Sequence, residues 1–160
     1  MATKPTYISA LNAVANGERA GHQLFRSWSD ATKDKALKKT LDIVAVREME
    51  HSWAFEKRLN ELGFDLQSAD TSAAKKLNRV MRSKSSDADK FAAFGIGVKQ
   101  IGGSAEQPDG LLQLLADKTI DPTTGGLIGR FICEERDSGQ LLVKAYQAMK
   151  RRKGRKKKAA

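Results

Sequence analysis

An apolar stripe that is interrupted by an acid and a histidine constrains this chain more than any other feature. Within residues 34–62, positions separated by three or four residues fall on one helix face and are apolar except at Glu48 and His51. A buried carboxylate is costly unless it is paired or bound to a metal. A Glu-x-x-His pair that faces into a helical bundle is one half of a carboxylate-bridged di-metal site. The members of the stripe are Leu37, Leu41, Val44, Glu48, His51, Phe55, Leu59 and Leu62.

Length and composition favour a single helical domain. The 160 residues are enough for a substantial core, and 40% apolar with 30% charged residues is typical of soluble globular proteins. No apolar run approaches the ~20 residues that cross a bilayer, and the segment MATKPTYISALN has no secretory apolar core. The single cysteine, Cys133, excludes an internal disulfide, and we expect it to be an ordinary buried thiol. These features predict a cytoplasmic protein without a membrane partner.

The net charge of +10 is concentrated in a basic tail. Removing the eight tail cations from the 29 in the chain leaves 21 cations against 19 acids, so the rest is nearly neutral. We therefore predict a helical domain over residues 1–149 and a disordered tail over 150–160. The tail would bind nucleic-acid phosphates without sequence preference, or else only aid solubility. Its cations are Lys150, Arg151, Arg152, Lys153, Arg155, Lys156, Lys157 and Lys158.

The first two predicted helices form a hairpin that brings polar residues to one height. The first helix spans about 6–29 and carries Glu18 and His22 on its apolar face, and the turn SDATKD follows. So short a turn forces antiparallel packing, with Asp30 or Thr32 capping the second helix. Glu18 and Glu48 each lie fifteen positions from residue 33, or about 22 Å along the helices. We therefore expect Glu18, Glu48 and His51 to converge. Gly17 and Gly21 beside Glu18 are either tolerated or make room for a ligand.

The pattern of the second half of the chain predicts further helices. This half contains no histidine. A short helix is expected over 72–82, a third bundle helix from near Asp87 after a capping box, and a cover segment over 111–116. Residues 97–110 form a break that lacks a phosphate-loop motif. The fourth helix should run from Pro122 to Met149, and periodicity does not choose which of Glu134 and Glu135 points inward. Asp137 stands three residues after Glu134, and we expect it to support the ligands rather than bind metal.

The first 65 residues resemble the front hairpin of the ferritin-like superfamily, most of all its rubrerythrin-like and encapsulated-ferritin-like branches. The similar segments are GERAGHQLF, VAVREMEHSWAF and ELGF. The resemblance implies an all-α, antiparallel four-helix bundle with short accessory helices. It also implies that Glu18 is a terminal ligand, that Glu48 bridges two metal ions, and that His51 binds one of them.

The second half departs from the family pattern, so several forms of the site stay open. The family's third helix contributes an acid and its fourth a second Glu-x-x-His, whereas this chain offers only Glu134, Glu135 and Asp137. Three forms of the site are therefore open. The acids of the fourth helix complete an oxygen-rich site, or the hairpins of two copies of the chain meet across a two-fold axis and share the site. In the third form the site is degenerate and its acids form a polar network in the core. His22 is a further candidate ligand. We expect a homodimer or a larger homo-oligomer.

Carboxylate and imidazole donors favour iron or manganese over metals that prefer thiolates. We therefore expect two metal ions, iron before manganese or zinc, and Fe(II) oxidation by dioxygen or peroxide in iron handling or peroxide defence. Oxygenation of an organic substrate is a variant. The alternatives are a non-catalytic helical protein that binds nucleic acid through its tail, and a bundle whose acids and histidines serve structure or assembly.

Overall fold

A computed structural model of the chain describes residues 5–97 and 110–158. The described residues contain helices and no strands, which confirms the all-α prediction. Among them, no helix combines the length and the apolar character that crossing a membrane requires. The helices are α1 (Ile8–Ala31), α2 (Lys35–Glu61), α3 (Ser72–Arg82), α4 (Asp87–Ala93), α5 (Gly110–Leu115) and α6 (Pro122–Lys158).

The hairpin of α1 and α2 is the centre of the fold, and α6 packs along α2. Two apolar clusters fill it, and they lie on opposite sides of the level of Glu48. The turn-side cluster comprises Leu24, Phe25, Trp28, Leu37, Leu41, Val44, Ala45, Met81, Phe91, Leu142 and Met149. The distal cluster comprises Tyr7, Ile8, Leu11, Ala15, Phe55, Leu59, Ile128, Phe131 and Ile132. The polar members of the stripe therefore lie between two separate apolar regions.

Asp34 caps α2, which corrects the prediction of Asp30 or Thr32. Its carboxylate accepts hydrogen bonds from the backbone N–H groups of Ala36 and Leu37 at 3.0 and 3.2 Å. Because α2 begins at Lys35, only the residue immediately before it reaches these donors. Thr32 instead donates from Oγ1 to Asp87 at 2.8 Å and so ties the turn to α4.

Gly63 follows the end of α2 and reverses the chain. Its φ of 82° lies in the left-handed region that glycine adopts without strain. The backbone N–H of Phe64 then donates to the carbonyl of Leu59 at 3.0 Å, which closes the last turn.

The predicted third bundle helix is only seven residues long in the structure. Its capping box forms as expected, since Ser86 accepts from the backbone of Asp89 while the Asp89 carboxylate accepts from Ser86. However, α4 ends before Gly95, whose φ is 88°, and the N–H of Ile96 bonds back to Phe91 at 2.9 Å. The described residues thus contain three long helices, and the four-helix bundle is not confirmed. Most of the predicted break falls at 98–109, outside the described residues.

The last helix is longer than predicted. Asp121 accepts from the backbone N–H of Thr124 at 2.9 Å and caps α6, which continues through the basic residues to Lys158. The disordered tail is therefore not confirmed. Lysine and arginine are good helix formers, and their charges are favourable at a helix C-terminus. Arg152 also forms an ion pair with Asp34, which anchors this part of α6 to the hairpin turn.

Candidate metal centre

Glu18, Glu48 and His51 meet inside the hairpin at the level that their distances from the turn predict. All three are buried, with exposed fractions of 8%, 7% and 5%. Nδ1 of His51 lies 3.0 Å from Oε2 of Glu18, so the imidazole of α2 contacts the carboxylate of α1 directly. The backbone beside them is fixed by Ser52, which donates from Oγ to the carbonyl of Ala15 at 2.9 Å. The predicted convergence of the three side chains is therefore observed.

Both acids of α6 reach His51, although periodicity indicated one or the other. Oε2 of Glu134 lies 2.7 Å from Nε2 of His51, and Oε1 of Glu135 lies 3.6 Å from Nδ1. Consecutive helix positions point about 100° apart, so Glu134 and Glu135 approach His51 from different directions. The imidazole ring of His51 has one nitrogen near each of them. Glu18, His51 and Glu135 each offer one ligand atom, and these atoms lie within 4.8 Å of one another.

Glu48 carries the largest electrostatic perturbation in the cluster. Burial raises its pKa to about 9, and the charges of Glu18 and Glu135 and a hydrogen bond with Glu18 act in the same direction. Burial and the charge of Glu18 likewise raise the pKa of Glu135. Glu48 therefore holds a proton at neutral pH when no cation is nearby, because a further buried negative charge would be unfavourable.

His51 and Glu134 are shifted towards their charged forms. Burial alone would lower the pKa of His51, but its hydrogen bonds to Glu18 and Glu134 outweigh burial and raise it. Burial would raise the pKa of Glu134, yet the hydrogen bonds from Arg130 and His51 outweigh burial and lower it. Arg130 donates from Nε to Oε1 of Glu134 at 2.8 Å. These contacts therefore favour the cationic form of His51 beside the surrounding acids.

Two observations fit a bound metal ion. Oε1 of Glu135 is buried and has no hydrogen-bond partner among the described residues, a condition that is costly for a carboxylate oxygen. In addition, a Cβ atom at Gly21 would lie 2.0 Å from Oε2 of Glu48, so the missing side chain at this position of α1 leaves room for the carboxyl group. Oxygen donors with one imidazole suit iron or manganese. The cluster of Glu18, His51 and Glu135 could therefore hold a metal ion.

Several predicted site residues lie elsewhere. His22 points away from the cluster, with Nδ1 2.7 Å from the carbonyl oxygen of Ala45. Asp137 accepts from Arg47 at 2.5 Å and links α6 to α2 at an exposed position. Cys133 is exposed, which corrects the expectation of a buried thiol, because it lies outside the positions of α6 that pack into the distal cluster, namely Ile128, Phe131 and Ile132. The basic residues Lys150, Arg151, Arg152 and Lys153 are exposed. The side chains of Arg155, Lys156, Lys157 and Lys158 lie outside the described part.

Arg130 is a member of the site that sequence reasoning missed. Its spacing of four residues before Glu134 is the signal that identifies such a pair on a helix surface. Phe131 of α6 also contacts the site, since its ring stands edge-on to the His51 ring with 5.0 Å between the centroids.

Comparison of the chain with protein-family models, with curated proteins and with solved structures gives no match. The resemblance to the ferritin-like superfamily therefore stays an expectation from the residues. The functional interpretation depends on the geometry of the cluster formed by Glu18, Glu48, His51, Glu134 and Glu135, which we call the carboxylate–histidine cluster.

Proposed function

We propose that this chain binds iron in its carboxylate–histidine cluster and oxidises Fe(II). The observation that carries the proposal is the buried Oε1 of Glu135, which has no hydrogen-bond partner among the described residues and lies beside Glu18 and His51. Hydrogen bonding within the described residues leaves this oxygen unsatisfied, and a cation would satisfy it. Manganese is the nearest alternative for the same donors.

Glu18, His51 and Glu135 would hold one ion, while Glu48 and Glu134 are the remaining donors for a second. By the resemblance, Glu48 would be the bridging group. Bound iron would supply electrons to dioxygen or peroxide as it changes between the +2 and +3 states. The sequence motif of α2 and the two acids of α6 thus provide a site within one chain, and a two-fold arrangement stays an alternative.

The protein side chains would prepare the site by controlling charge and water. Glu48 holds a proton at neutral pH in the metal-free state, and the contacts of His51 favour its protonated form, so a bound cation would displace protons from this site. Arg130 keeps the carboxylate of Glu134 charged through its hydrogen bond. The turn-side and distal clusters lie on the two sides of the carboxylate–histidine cluster. Such apolar surroundings strengthen the attraction between carboxylates and a cation.

Anaerobic Fe(II) titration of chelator-treated protein, followed by exposure to air, tests the proposal. Wild-type protein should bind Fe(II) saturably and then produce the near-ultraviolet absorption of oxidised iron. Glu135→Gln should weaken binding by about tenfold or more, because it removes a charged ligand at nearly constant shape. Glu50→Gln is the matched control, since Glu50 is exposed on α2. Wild-type protein that binds neither Fe(II) nor Mn(II) above the level of Glu135→Gln would refute the proposal.

Nucleic-acid binding stays a second candidate because of one observation. α6 extends past the hairpin turn, and Lys150, Arg151 and Lys153 are exposed on it. Exposed cations on a helix end can neutralise phosphates without base recognition. This candidate is compatible with metal binding, since the basic residues lie on the far side of the turn-side cluster.

A further inference from the structure

A cavity lined by many basic side chains lies at the hairpin turn, away from the carboxylate–histidine cluster. Its volume is about 1140 Å³, and it opens between the α1–α2 turn, the α3–α4 turn and the end of α6. The turn-side cluster, with Trp28, Phe91 and Met149 among its members, separates it from the level of Glu48. It is therefore a separate place in the fold.

The cavity is strongly positive. Its acids are Asp34 and Asp87, and both are already engaged. Asp34 caps α2 and pairs with Arg152, while Asp87 accepts from Nε1 of Trp28 and from Oγ1 of Thr32, both at 2.8 Å. The basic side chains that line it are Lys33, Lys35, Arg82, Lys84, Lys90, Arg152 and Lys153.

Lys90 distinguishes this cavity from an ordinary basic surface. Lys90 is only 1% exposed, yet its residue lines the cavity. Burial lowers the pKa of Lys90, and the charge of Asp87 opposes that shift. Holding a cation in such a place is unfavourable unless an anion pairs with it.

We propose that this cavity binds a small anion that carries phosphate groups, with Lys90 as its buried contact. Arg82 offers a planar fork of donors that matches phosphate geometry, and Ser85 adds a hydroxyl group to the lining. The volume is sufficient for a molecule of nucleotide size. The described lining residues include no aromatic side chain for base stacking, so recognition would fall on the phosphates.

Calorimetric titration of the full chain with sodium pyrophosphate tests the proposal, using protein freed of metal because pyrophosphate also binds metal ions. Binding should be saturable, and Lys90→Met should weaken it by about tenfold or more. Lys144→Met is the matched control, because Lys144 is exposed on α6 and does not line the cavity. Inorganic phosphate and a single-stranded oligonucleotide, as parallel titrants, distinguish a free phosphate from a nucleic-acid backbone as the source.

Thermal melting separates loss of binding from loss of folding. Removing a buried cation should leave the Tm of Lys90→Met in phosphate-free buffer no lower than that of wild type. Pyrophosphate should raise the Tm of wild type and of Lys144→Met, and at the same concentration it should raise that of Lys90→Met by less. If Lys90→Met fails to fold, Arg82→Gln supplies the test, since Arg82 is exposed and should also weaken binding more than Lys144→Met does.

Two results would overturn the proposal. They are the absence of saturable pyrophosphate or phosphate binding, and equal weakening of that binding by the cavity and control variants. Neither of them bears on iron binding, which is measured with different variants.

Discussion

Gly21 of α1 faces the carboxyl group of Glu48 of α2 so closely that a Cβ atom at position 21 would lie 2.0 Å from Oε2. Glycine inside a helix costs roughly 0.5–1 kcal/mol relative to alanine, so a reason for it is expected. Gly17 lies one turn earlier and differs from Gly21, because a Cβ atom at position 17 would have no neighbouring atom within 4 Å. Of the two interpretations of these glycines, room for a ligand group applies to Gly21 and simple tolerance to Gly17.

Gly21→Ala should damage the metal site, whereas Gly17→Ala should not. The new methyl at position 21 must displace the Glu48 carboxyl group, so we expect Mn(II) or Fe(II) affinity to fall by about tenfold and the Tm to drop. Gly17→Ala should stabilise the fold by about 0.5–1 kcal/mol and leave metal affinity unchanged. Metal titrations and urea unfolding of both variants check this pair. Equal metal affinity in the two variants would mean that the contact with Glu48 is irrelevant to binding.

The stability of metal-free protein should fall as the pH rises from about 4.5 to about 9. The pKa of Glu48 is about 9 in the folded state and 4.5 at its ordinary value, so the folded state binds the extra proton across this window. The raised pKa of His51 acts in the same direction above its ordinary value of 6.5. Urea unfolding in chelator at several pH values measures the slope.

Glu48→Gln should flatten that slope, because the amide stays neutral and keeps the shape of the protonated acid. Glu50→Gln should retain the wild-type slope, since Glu50 is exposed on the same helix. A Glu48→Gln protein with the full wild-type slope would show that Glu48 titrates normally.

Metal should reverse the order of stability between wild type and Glu48→Gln. In chelator the wild-type protein holds several acids together, so the neutral variant should be equally stable or more stable at pH 8. With Fe(II) or Mn(II), wild type gains stability by mass action and the variant gains less. Thermal melts of both proteins in both conditions decide the matter. A variant that loses the same stability with and without metal would favour a purely structural role for Glu48.

Much of the site was predictable because helix periodicity and a short turn fix positions in three dimensions. Equal distances from the turn placed Glu18 and Glu48 at one height, and a spacing of three placed His51 beside them. The choice between Glu134 and Glu135 was not predictable, because adjacent positions flank one stripe and a long side chain reaches His51 from either. Periodicity also cannot reveal that His22 turns to the carbonyl oxygen of Ala45, since that depends on side-chain rotation.

The ends of helices were harder to predict than the helices themselves. The length of α4 depends on Gly95 and on the closing bond from Ile96 to Phe91, and its apolar pattern is too short to indicate where it stops. The continuation of α6 depends on the helix propensity of lysine and arginine and on the ion pair of Arg152 with Asp34. Neither of these produces an apolar stripe in the sequence.

Asp137→Asn should leave metal affinity unchanged, unlike Glu134→Gln. Asp137 contacts Arg47 on the exposed side of α6, and such ion pairs contribute about 0–1 kcal/mol to stability. Glu134 contacts His51 directly, so its replacement removes a charged group from the cluster. Mn(II) titrations of the two variants check this difference, and unfolding curves confirm that both are folded. Loss of affinity in Asp137→Asn would restore Asp137 to the site.

Deletion of residues 150–160 should preserve the fold and remove nonspecific DNA binding. The deleted segment begins after Met149, the last residue of the turn-side cluster, so the described core stays complete. The loss of the exposed ion pair between Arg152 and Asp34 should cost about 0–1 kcal/mol.

Binding to a DNA duplex should weaken steeply with salt in wild type, because cations that contact phosphates release counterions. Full-length protein with Lys150, Arg151 and Lys153 replaced by glutamine is the matched control for chain length, and it should lose most of the same affinity. DNA binding at low salt that survives both changes would place the nucleic-acid contact elsewhere on the protein.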